Sequence, residues 1–322
     1  MLKAVMLGFD AAAETAYLPA FAARKRDIDI CAVCDPSAER LEKAAALMPS
    51  ARRYKIPGTL FSEEDCLDFA VISGPAGLRA GHIMAALGNR LHVFCGRPLC
   101  LSMKDLDLIW AESFRAGRCV FTVHGPERSP QVLTLKKVIR EKLLGRVSYA
   151  ALSFLRTGRT EAGILADCGW QAAYLAGELL GGEPVSLSAR LQSGEDAETG
   201  NTVETVCCQL HFSGAAAHIH LTSKSHADRT GILVCGDKGL ANLEEDLLTL
   251  DLKGLAPETI KFNERLSDGP GPEWIKASLE DFLAAAKDPA LREKNLRESK
   301  NCLKFLKNSA YSNSINSATV PL

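Results

Sequence analysis

The sequence lacks an excess of charge of either sign. Among its 322 residues, 38 are Lys or Arg and 39 are Asp or Glu. A balanced chain produces no global field that would attract nucleic acid or an anionic membrane. We therefore expect neither nucleic acid nor a membrane among its partners, and we expect recognition to occur at a local site.

The sequence also lacks long hydrophobic runs. No stretch approaches the roughly 18 apolar residues of a membrane-spanning helix, and the N-terminus does not show the basic, apolar and small-residue succession of a signal peptide. Hydrophobic residues still make up 47% of the chain, which is ample for the cores of two ordinary domains or of one large α/β domain. We expect a globular, cytoplasmic protein.

The cysteines are numerous, but their pattern does not predict disulfides. Their count of 11 is odd, they are spread along the chain, and no secretion signal accompanies them, which favours reduced thiols. Cys31 and Cys34 have the spacing of a redox motif. They fall in a predicted strand, where residues three apart point to opposite faces, so redox or metal chemistry there is disfavoured.

Residues 1–125 alternate β-type apolar runs with helical patterns, which indicates a parallel sheet wound with helices. The runs are LKAVMLG, IDICAVCD, LDFAVISGP, LHVFCGRP and RCVFTVHGP. Apolar residues three and four apart predict helices over Ala12 to Arg24, Ser37 to Leu47, Arg79 to Leu87 and Ser102 to Ala116, with Ser37 and Ser102 as N-caps. Right-handed crossovers then place any ligand outside the carboxyl ends of the strands.

After His124 the pattern changes to longer alternating runs, which predict an antiparallel sheet with one solvated face. Helices are predicted between and after these runs, over Ser129 to Leu144, Asp167 to Leu180, Pro272 to Lys287 and Ala290 to Lys307. The final stretch, NSAYSNSINSATVPL, is polar and is expected to be frayed.

These patterns together predict an α/β protein. Its N-terminal part is a Rossmann doubly wound parallel sheet, and its C-terminal part is an α+β domain with a large, mostly antiparallel open sheet. We place the Rossmann-type domain at residues 1–124 and a substrate and oligomerisation domain at residues 125–322, with the last helices able to pack back on the first domain.

Leu2 to Phe21 resemble a dinucleotide-binding turn that has lost some of its glycines. In such a turn the first glycine makes the tight bend, the second admits the pyrophosphate, and the third lets helix pack on strand. These places hold Gly8, Asp10 and Ala13 here. Alanine is tolerated at the third place, but two like charges about 4 Å apart at an effective dielectric of about 20 cost roughly 4 kcal/mol. Asp10 either turns away from the anion or caps the helix that follows.

Asp35 favours nucleotide binding, because it stands at the end of the second predicted strand, where an acid commonly binds the ribose hydroxyls. If a nicotinamide cofactor binds, Asp35 favours NAD(H) over NADP(H). Before Pro36, it can equally serve as a turn former.

Several segments in order resemble the glucose-fructose oxidoreductase, inositol dehydrogenase and MocA family. They are YLPAF, CDPSAERL, VISGPAGLRAGHIMAAL, LHVFCGRPL, GILADCGWQAAYLAGELLGG and KASLEDFLAAAK, and they cover nearly the whole chain. The resemblance implies NAD(P)-dependent oxidation or reduction, usually of sugars or polyols, with nicotinamide and substrate meeting between the domains. The cofactor-binding residues that it implies are Gly8, Phe9, Asp10, Ala13, Asp35, Gly74, Pro75, His82, Arg97 and Pro98.

The family's EKP motif falls on Gly96, Arg97 and Pro98, so its lysine is an arginine here. Arginine stays protonated at working pH, so it can bind an oxyanion or polarise a carbonyl but is a poor proton shuttle. Arg97 could instead be an ordinary surface residue. Its place at a strand end before proline favours the binding edge of the sheet.

The family's second motif, D-x-G-x-H-x-x-D, falls on Asp167, Gly169, Gln171 and Tyr174. The motif's histidine, the usual acid/base catalyst, is therefore glutamine, which cannot take a proton near neutral pH. Tyr174, three residues beyond Gln171, faces the same side of the helix and can act as the acid in a reduction. A core or interface tyrosine is the alternative.

Other residues with reactive side chains admit weaker interpretations. His218 and His220 share one face of a strand, but a zinc site needs three or four ligands, so we expect no metal and favour an imidazole pair on the solvated or oligomeric face. His124 follows the last Rossmann strand and is a candidate substrate contact or substitute proton carrier, because histidine titrates near neutrality. Arg128 can hold a carboxylate or phosphate.

Two interpretations of the whole chain remain. Asp10, Arg97 and Gln171 depart from the family pattern at the places where its members do their work. The favoured interpretation is a divergent NAD(P)-dependent oxidoreductase of a small carbonyl, imine or sugar-like substrate, with Arg97 positioning an anionic group and Tyr174 or His124 supplying a proton. The other is a catalytically inactive relative that binds or assembles, with no cofactor. Either would form a homodimer or homotetramer through the C-terminal sheet.

Overall fold

The computed structural model describes residues 1–158, 162–195 and 202–322. The chain divides into two compact units. The first contains Met1–His124 and Pro270–Lys300, and the second contains Gly125–Gly269 and Asn301–Leu322.

The first unit is built on a parallel sheet of six strands, all within fully described sequence. The strands are β1 (Leu2–Leu7), β2 (Ile28–Cys34), β3 (Arg52–Tyr54), β4 (Phe69–Ile72), β5 (His92–Gly96) and β6 (Val120–Val123). Their order is β3-β2-β1-β4-β5-β6, and every neighbouring pair is parallel. This order is that of a dinucleotide-binding doubly wound sheet, so the predicted fold is confirmed.

Helices connect these strands close to where the hydrophobic periodicity predicts them. A π-helix at Ala13–Tyr17 continues into α1 (Leu18–Ala22), and the others are α2 (Ala38–Leu47), α3 (Pro57–Glu63), α4 (Ala76–Gly88) and α5 (Met103–Ala116). The predicted N-caps are confirmed, because Ser37 Oγ accepts from the Arg40 N–H and Ser102 Oγ accepts from the Asp105 N–H, both at 3.3 Å. The sequence patterns missed β3 and α3, which are short and carry little periodicity.

An aromatic cluster forms the core on one side of this sheet. Helix α8 (Pro272–Ala285) places Phe282 between the sheet residues Phe69 and Phe94, with ring centroids 5.3 and 5.4 Å away. Phe282 is 1% exposed, and full burial of such a side chain stabilises a fold by about 1.5 to 3 kcal/mol. Residues far along the chain therefore belong to the core of the first unit.

The described part of the second unit contains a sheet of nine strands. They are β7 (Val147–Thr157), β8 (Ser186–Glu195), β9 (Thr202–Phe212), β10 (Ala215–Thr222), β11 (Lys224–Gly236), β12 (Gly239–Glu244), β13 (Leu247–Leu252), β14 (Glu258–Lys261) and β15 (Val320–Pro321). The order is β14-β13-β12-β11-β7-β10-β9-β8-β15. Only the β7–β10 pair is parallel, so the mostly antiparallel sheet is confirmed.

Helix packs on one face of this sheet, and the side chains on the other face are more exposed. Along β10, Ala217, Ile219 and Leu221 are fully buried and alternate with His218 and His220, as a half-buried strand requires. Helix α7 (Trp170–Leu180) packs on β7 and β10. It follows a π-helix at Leu165–Gly169. Helix α6 (Pro130–Arg140) is shorter than predicted, because Lys142 adopts a left-handed φ of 58°.

The expectation of a frayed C-terminus is wrong. Helix α9 (Pro289–Ser314) extends beyond the predicted Lys307, and Val320 and Pro321 pair with β8. Ser312 is fully buried, accepts from the Ala189 N–H at 3.0 Å and donates to the Ala318 carbonyl at 2.6 Å. The polar composition misled the prediction because Ser312 is buried and forms its hydrogen bonds with backbone groups.

No helix in the described residues is both long and apolar enough to cross a membrane. All 11 cysteines are described, and none forms a disulfide.

Candidate functional site

The turn after β1 has the backbone of a nucleotide-binding turn. Gly8 has a φ of +86°, and a Cβ on it would lie 2.0 Å from the Ser73 carbonyl oxygen. Gly74, at the end of β4, has a φ of +90°, and its Cβ would lie 3.4 Å from the Gly8 Cα. The loops after β1 and β4 thus touch through their backbones, and only glycine satisfies both the conformation and the space at Gly8.

The carboxylate of Asp10 is bonded into this turn. Its Oδ1 accepts from the Ala13 N–H at 2.9 Å and from the Ser73 hydroxyl at 2.5 Å. Its Oδ2 accepts from the Gly74 N–H at 2.8 Å. Because residue 11 is the first helical residue and Ala13 lies in the first turn, the N-cap alternative describes what Asp10 does. The same carboxylate also ties the helix to the loop after β4.

Asp35 is buried at the end of β2, with 1% exposure. Its two oxygens accept from the Phe9 N–H and from the Ser37 N–H, each at 2.8 Å. The Arg40 guanidinium lies 3.6 Å away. Asp35 therefore acts as a turn former, as the second interpretation expected. An ionised carboxylate has about four acceptor sites, so these contacts leave it able to accept from a ribose hydroxyl.

His82, on α4, has a buried nitrogen whose hydrogen-bonding capacity is not used. Its Nδ1 has no hydrogen-bond partner among the described residues, and such orphaned buried atoms are rare unless a ligand or water satisfies them. Burial lowers the pKa of His82, while the charge of Asp35 opposes that shift. The electrostatic influence of Asp35 on the ring indicates that the two residues belong to one neighbourhood.

These residues fit a dinucleotide in part. The glycine contact of the β1 and β4 loops keeps the tight turn of a dinucleotide-binding motif, and the acid at the end of β2 lies where such folds bind the ribose. Asp10 does not suit the pyrophosphate, because its carboxylate already occupies the anion position at the helix N-terminus. Three donated hydrogen bonds offset part of that charge.

Arg97 lies at the end of β5, where a cis peptide bond joins it to Pro98, and its side chain is half-buried. Arg79, from α4, holds the surrounding loops by donating to the Gly74 carbonyl at 2.7 and 3.0 Å and to the Pro98 carbonyl at 2.9 Å. Sequence reasoning missed Arg79. Its only signal was a lone arginine in the mostly apolar helix segment AGLRAGHIMAAL.

Tyr17 is a second residue that sequence reasoning missed. It is 4% exposed, and burial raises its pKa far above the ordinary value, so its phenol stays protonated at working pH. A Cβ on Gly96 would lie 3.2 Å from its hydroxyl oxygen. Gly96 therefore gives room to this hydroxyl.

His124, directly after β6, is 1% exposed. Burial, together with the positive charges of Arg97 and Lys294, lowers its pKa to about 3. Its Nε2 lies 3.3 Å from Asn295 Nδ2. The argument that His124 carries protons because it titrates near neutrality is therefore wrong for this environment, although its contact with substrate stays a prediction.

In the second unit, the start of α7 carries the second group of predicted residues. Asp167 is half-buried on the π-helix, Gln171 is 5% exposed, and Tyr174 is half-buried one turn further. Gln171 Nε2 donates only one long hydrogen bond, 3.4 Å, to the Asp167 carbonyl. A Cβ on Gly125 would lie 2.7 Å from the Gln171 Cβ, so Gly125 is needed for this close approach.

A glutamate from the sheet holds the start of this helical segment. Glu204 Oε2, on β9, accepts from the Ile164 N–H at 2.8 Å. A Cβ on Gly163 would lie 2.9 Å from the same oxygen. Strand β9 thereby anchors the start of the π-helix on which Asp167 lies.

His218 and His220 lie on the less buried face of the second sheet, and His220 is paired across the strands with Cys207. Burial and the neighbouring His218 lower the pKa of His220. In the described ranges, no group of three or more His, Cys, Asp or Glu side chains is arranged to hold a metal ion.

The fold and the turn agree with comparisons to known proteins. Residues 2–124 match the model of the Gfo/Idh/MocA oxidoreductase family's NAD-binding Rossmann fold, and residues 132–242 match the model of that family's C-terminal domain. The chain belongs to the Gfo/Idh/MocA family. The resemblance inferred from the sequence is thereby confirmed, and so is the pairing of a Rossmann domain with this C-terminal sheet.

Individual relatives are distant. The D-apiose dehydrogenase of Paraburkholderia graminis is 26% identical over 239 residues, and the myo-inositol 2-dehydrogenase of Thermotoga maritima is 23% identical over 201 residues. These alignments cover 69% and 59% of this chain, and the chain spans only 63% and 59% of the relatives' lengths. An oxidoreductase from Agrobacterium radiobacter, crystallised with NAD+, L-tartaric acid and magnesium, shares the fold with a TM-score of 0.84 at 17% identity, over 99% of this chain and 98% of that one.

Proposed function

We propose that this Gfo/Idh/MocA member is a nicotinamide-dependent oxidoreductase of a small sugar-like or carbonyl substrate. The observation that carries this proposal is the contact between Gly8 and the Ser73–Gly74 backbone beside the buried Asp35. Gly8 makes the tight bend of a dinucleotide-binding turn, and the buried Asp35 carboxylate lies beside it at the end of β2, where such folds bind the ribose.

NAD(H) is the favoured cofactor over NADP(H), and it would supply the hydride acceptor or donor. Asp35 would accept from a ribose hydroxyl, as an acid at the end of the second strand does in NAD-binding folds. A 2′-phosphate would meet the negative charge of Asp35. Arg40, 3.6 Å from that carboxylate, offsets this charge only in part.

The substrate would be held through oxygen atoms. Arg97 is always charged and can pair with a carboxylate or polarise a carbonyl. Gln171 can orient a hydroxyl but cannot remove its proton, so we assign proton donation during a reduction to the Tyr174 phenol. A homodimer or homotetramer through the second sheet and a cytoplasmic location belong to the same proposal.

The direct test is turnover. The protein would be mixed with NAD+ or NADH and a panel of polyols, aldoses, sugar acids and small keto acids, and the absorbance of reduced nicotinamide would be followed. We expect turnover of at least one class, with a preference for anionic members that Arg97→Met removes by raising KM at least tenfold. Arg79 and Arg40 are unsuitable as controls because Arg79 holds the same loops and Arg40 lies beside Asp35, so Arg115→Met, an exposed arginine paired with Glu112 on α5, is the matched substitution.

A second function, a non-catalytic binding or assembly protein, is favoured by the hydrogen bonds of Asp10. The Asp10 carboxylate accepts from Ala13, Ser73 and Gly74. It thereby places a negative charge at the helix N-terminus, where a nucleotide phosphate would otherwise bind. Absence of nucleotide binding by the unmodified protein would favour this function over the first.

A further inference from the structure

The edge strand of the first sheet is completed by a side chain instead of by another strand. Asn295, on α9, accepts from the Thr122 N–H through Oδ1 at 2.7 Å and donates to the Thr122 carbonyl through Nδ2 at 3.1 Å. Ser299, one turn further along α9, donates to the Thr122 hydroxyl at 2.9 Å. All three residues are at least nine-tenths buried.

This pairing fixes the orientation of the Asn295 amide. A backbone N–H can only donate and a carbonyl can only accept, so Oδ1 must face the Thr122 N–H and Nδ2 must face its carbonyl. The same Nδ2 lies 3.3 Å from His124 Nε2. Because Nδ2 is a donor, Nε2 must act as the acceptor. The proton of the neutral imidazole is then on Nδ1.

The charges around His124 favour the neutral ring. Arg97 at the end of β5 and Lys294 on α9 both act against protonation, as burial does. Glu298, also on α9, opposes them, with its Oε2 3.7 Å from Nε2. The Lys294 ammonium lies 3.4 Å from the other Glu298 oxygen and offsets part of that negative charge.

We propose that Asn295 is a positioning residue that locks His124 as a neutral imidazole with its proton on Nδ1. His124 then works at the carboxyl end of β6 as a hydrogen-bond donor of fixed direction, and it does not transfer protons. This assignment follows from contacts within the first unit and holds whether or not the protein binds a nucleotide.

The test is a long-range ¹H–¹⁵N correlation spectrum of the full chain labelled in histidine, which distinguishes protonated from bare ring nitrogens. His124→Gln identifies the His124 signals by their loss. We expect Nδ1 protonated and Nε2 bare at every pH from about 8 down to about 5, since the ring titrates only near pH 3. A proton on Nε2, or an imidazolium at pH 7, would overturn the proposal.

Two variants distinguish a positioning role of Asn295 toward His124 from a role of Asn295 in packing alone. In Asn295→Asp, one oxygen still accepts from the Thr122 N–H, but the other cannot donate to Nε2, so we expect Nε2 to become protonated. In Ser299→Ala, a bond to the same Thr122 is lost without any change facing the ring, so the parent tautomer should persist. If Asn295→Asp does not fold, Asn295→Ala should show both tautomers. An unchanged His124 spectrum in a folded Asn295 variant would overturn the role of Asn295.

Discussion

Asp10 and Gln171, which the resemblance to the family places at departures from its motifs, use their side chains differently. In the turn after β1, Asp10 accepts three hydrogen bonds of 2.5 to 2.9 Å from groups on two loops. At the start of α7, Gln171 makes one hydrogen bond within the described part of the chain, of 3.4 Å, to the Asp167 carbonyl one turn earlier. Asp10 is therefore part of the fold, whereas the Gln171 amide keeps most of its hydrogen-bonding capacity.

This difference shows that a substitution at a functional position can be absorbed into structure or left available for a ligand. Three donors around a carboxylate stabilise a turn even when no nucleotide is bound. A buried amide with a single weak bond is costly unless another group pairs with it. We therefore regard Asp10 as structural and infer that the Gln171 amide is available to a ligand.

The largest expected effect is on the free energy of unfolding, and it follows from changing Gly8, whose backbone conformation sets the position of Asp10. Gly8→Ala should destabilise the protein by about 4 kcal/mol, because a left-handed conformation costs about 1 to 2 kcal/mol and overpacking about 1 to 3 kcal/mol. Chemical denaturation would measure this. Gly81→Ala is the matched control, since nothing lies within 4 Å of its Cβ and alanine favours the helix by up to about 1 kcal/mol. Equal stability of Gly8→Ala and the parent would contradict the close approach.

Removing the Asp10 carboxylate should cost about 2 to 3 kcal/mol, because a cap and a charge-assisted contact disappear together. Asp10→Ala would be compared with Asp10→Asn by the same denaturation experiment. Asparagine keeps one oxygen for Ala13 and Ser73 but turns an N–H₂ toward the Gly74 N–H, so we expect a loss of about 1 kcal/mol. If alanine and asparagine cost the same, the hydrogen bonds of Oδ1 do not stabilise the turn.

Like Asp10, His124 is hydrogen-bonded within the fold, and the pH dependence of the free energy of unfolding tests this. Its pKa falls from 6.5 to about 3 on folding, so the unfolded chain binds the proton more tightly, and stability falls as pH decreases from about 6.5 toward 3. Between pH 7.5 and 5 the loss from this residue should be about 2 kcal/mol. His124→Gln keeps an acceptor for Asn295 and should lack that part of the pH dependence.

The smallest expected effect is at Gln171. Gln171→Met keeps the side-chain length and should change the free energy of unfolding by less than about 1 kcal/mol, because only one long hydrogen bond is lost. Turnover should fall much more than stability. A destabilisation as large as that of Asp10→Ala would show that Gln171 is structural too.

The sequence was sufficient for the features set by local periodicity and by turn chemistry. Five of the six strands of the first sheet, all but β3, followed from neighbouring residues, as did the caps at Ser37 and Ser102 and the Asp10 alternative that the structure adopts. The residues that it could not supply act over long separations. Arg79 reaches Pro98, Asn295 reaches Thr122, and Ser312 reaches Ala189, and no short-range pattern marks any of them.

His124 shows why the site was harder to predict than the fold. Histidine has an ordinary pKa near neutrality, and the sequence offers no means of seeing that Asn295 and Lys294, some 170 residues later in the chain, surround it. Burial, Arg97 and Lys294 lower its pKa to about 3, whereas the role of His124 in a reaction stays a prediction. Side-chain chemistry thus depended on tertiary contacts, whereas strand order did not.

The most direct test of the central claim is calorimetric titration of the unmodified protein with NADH, beside Asp10→Gly. The account predicts micromolar binding by the unmodified protein, because the Gly8 turn and Asp35 keep the nucleotide position while three donors offset the charge of Asp10. Absence of binding by the unmodified protein, with binding by Asp10→Gly, would contradict it and would show that Asp10 closes the site.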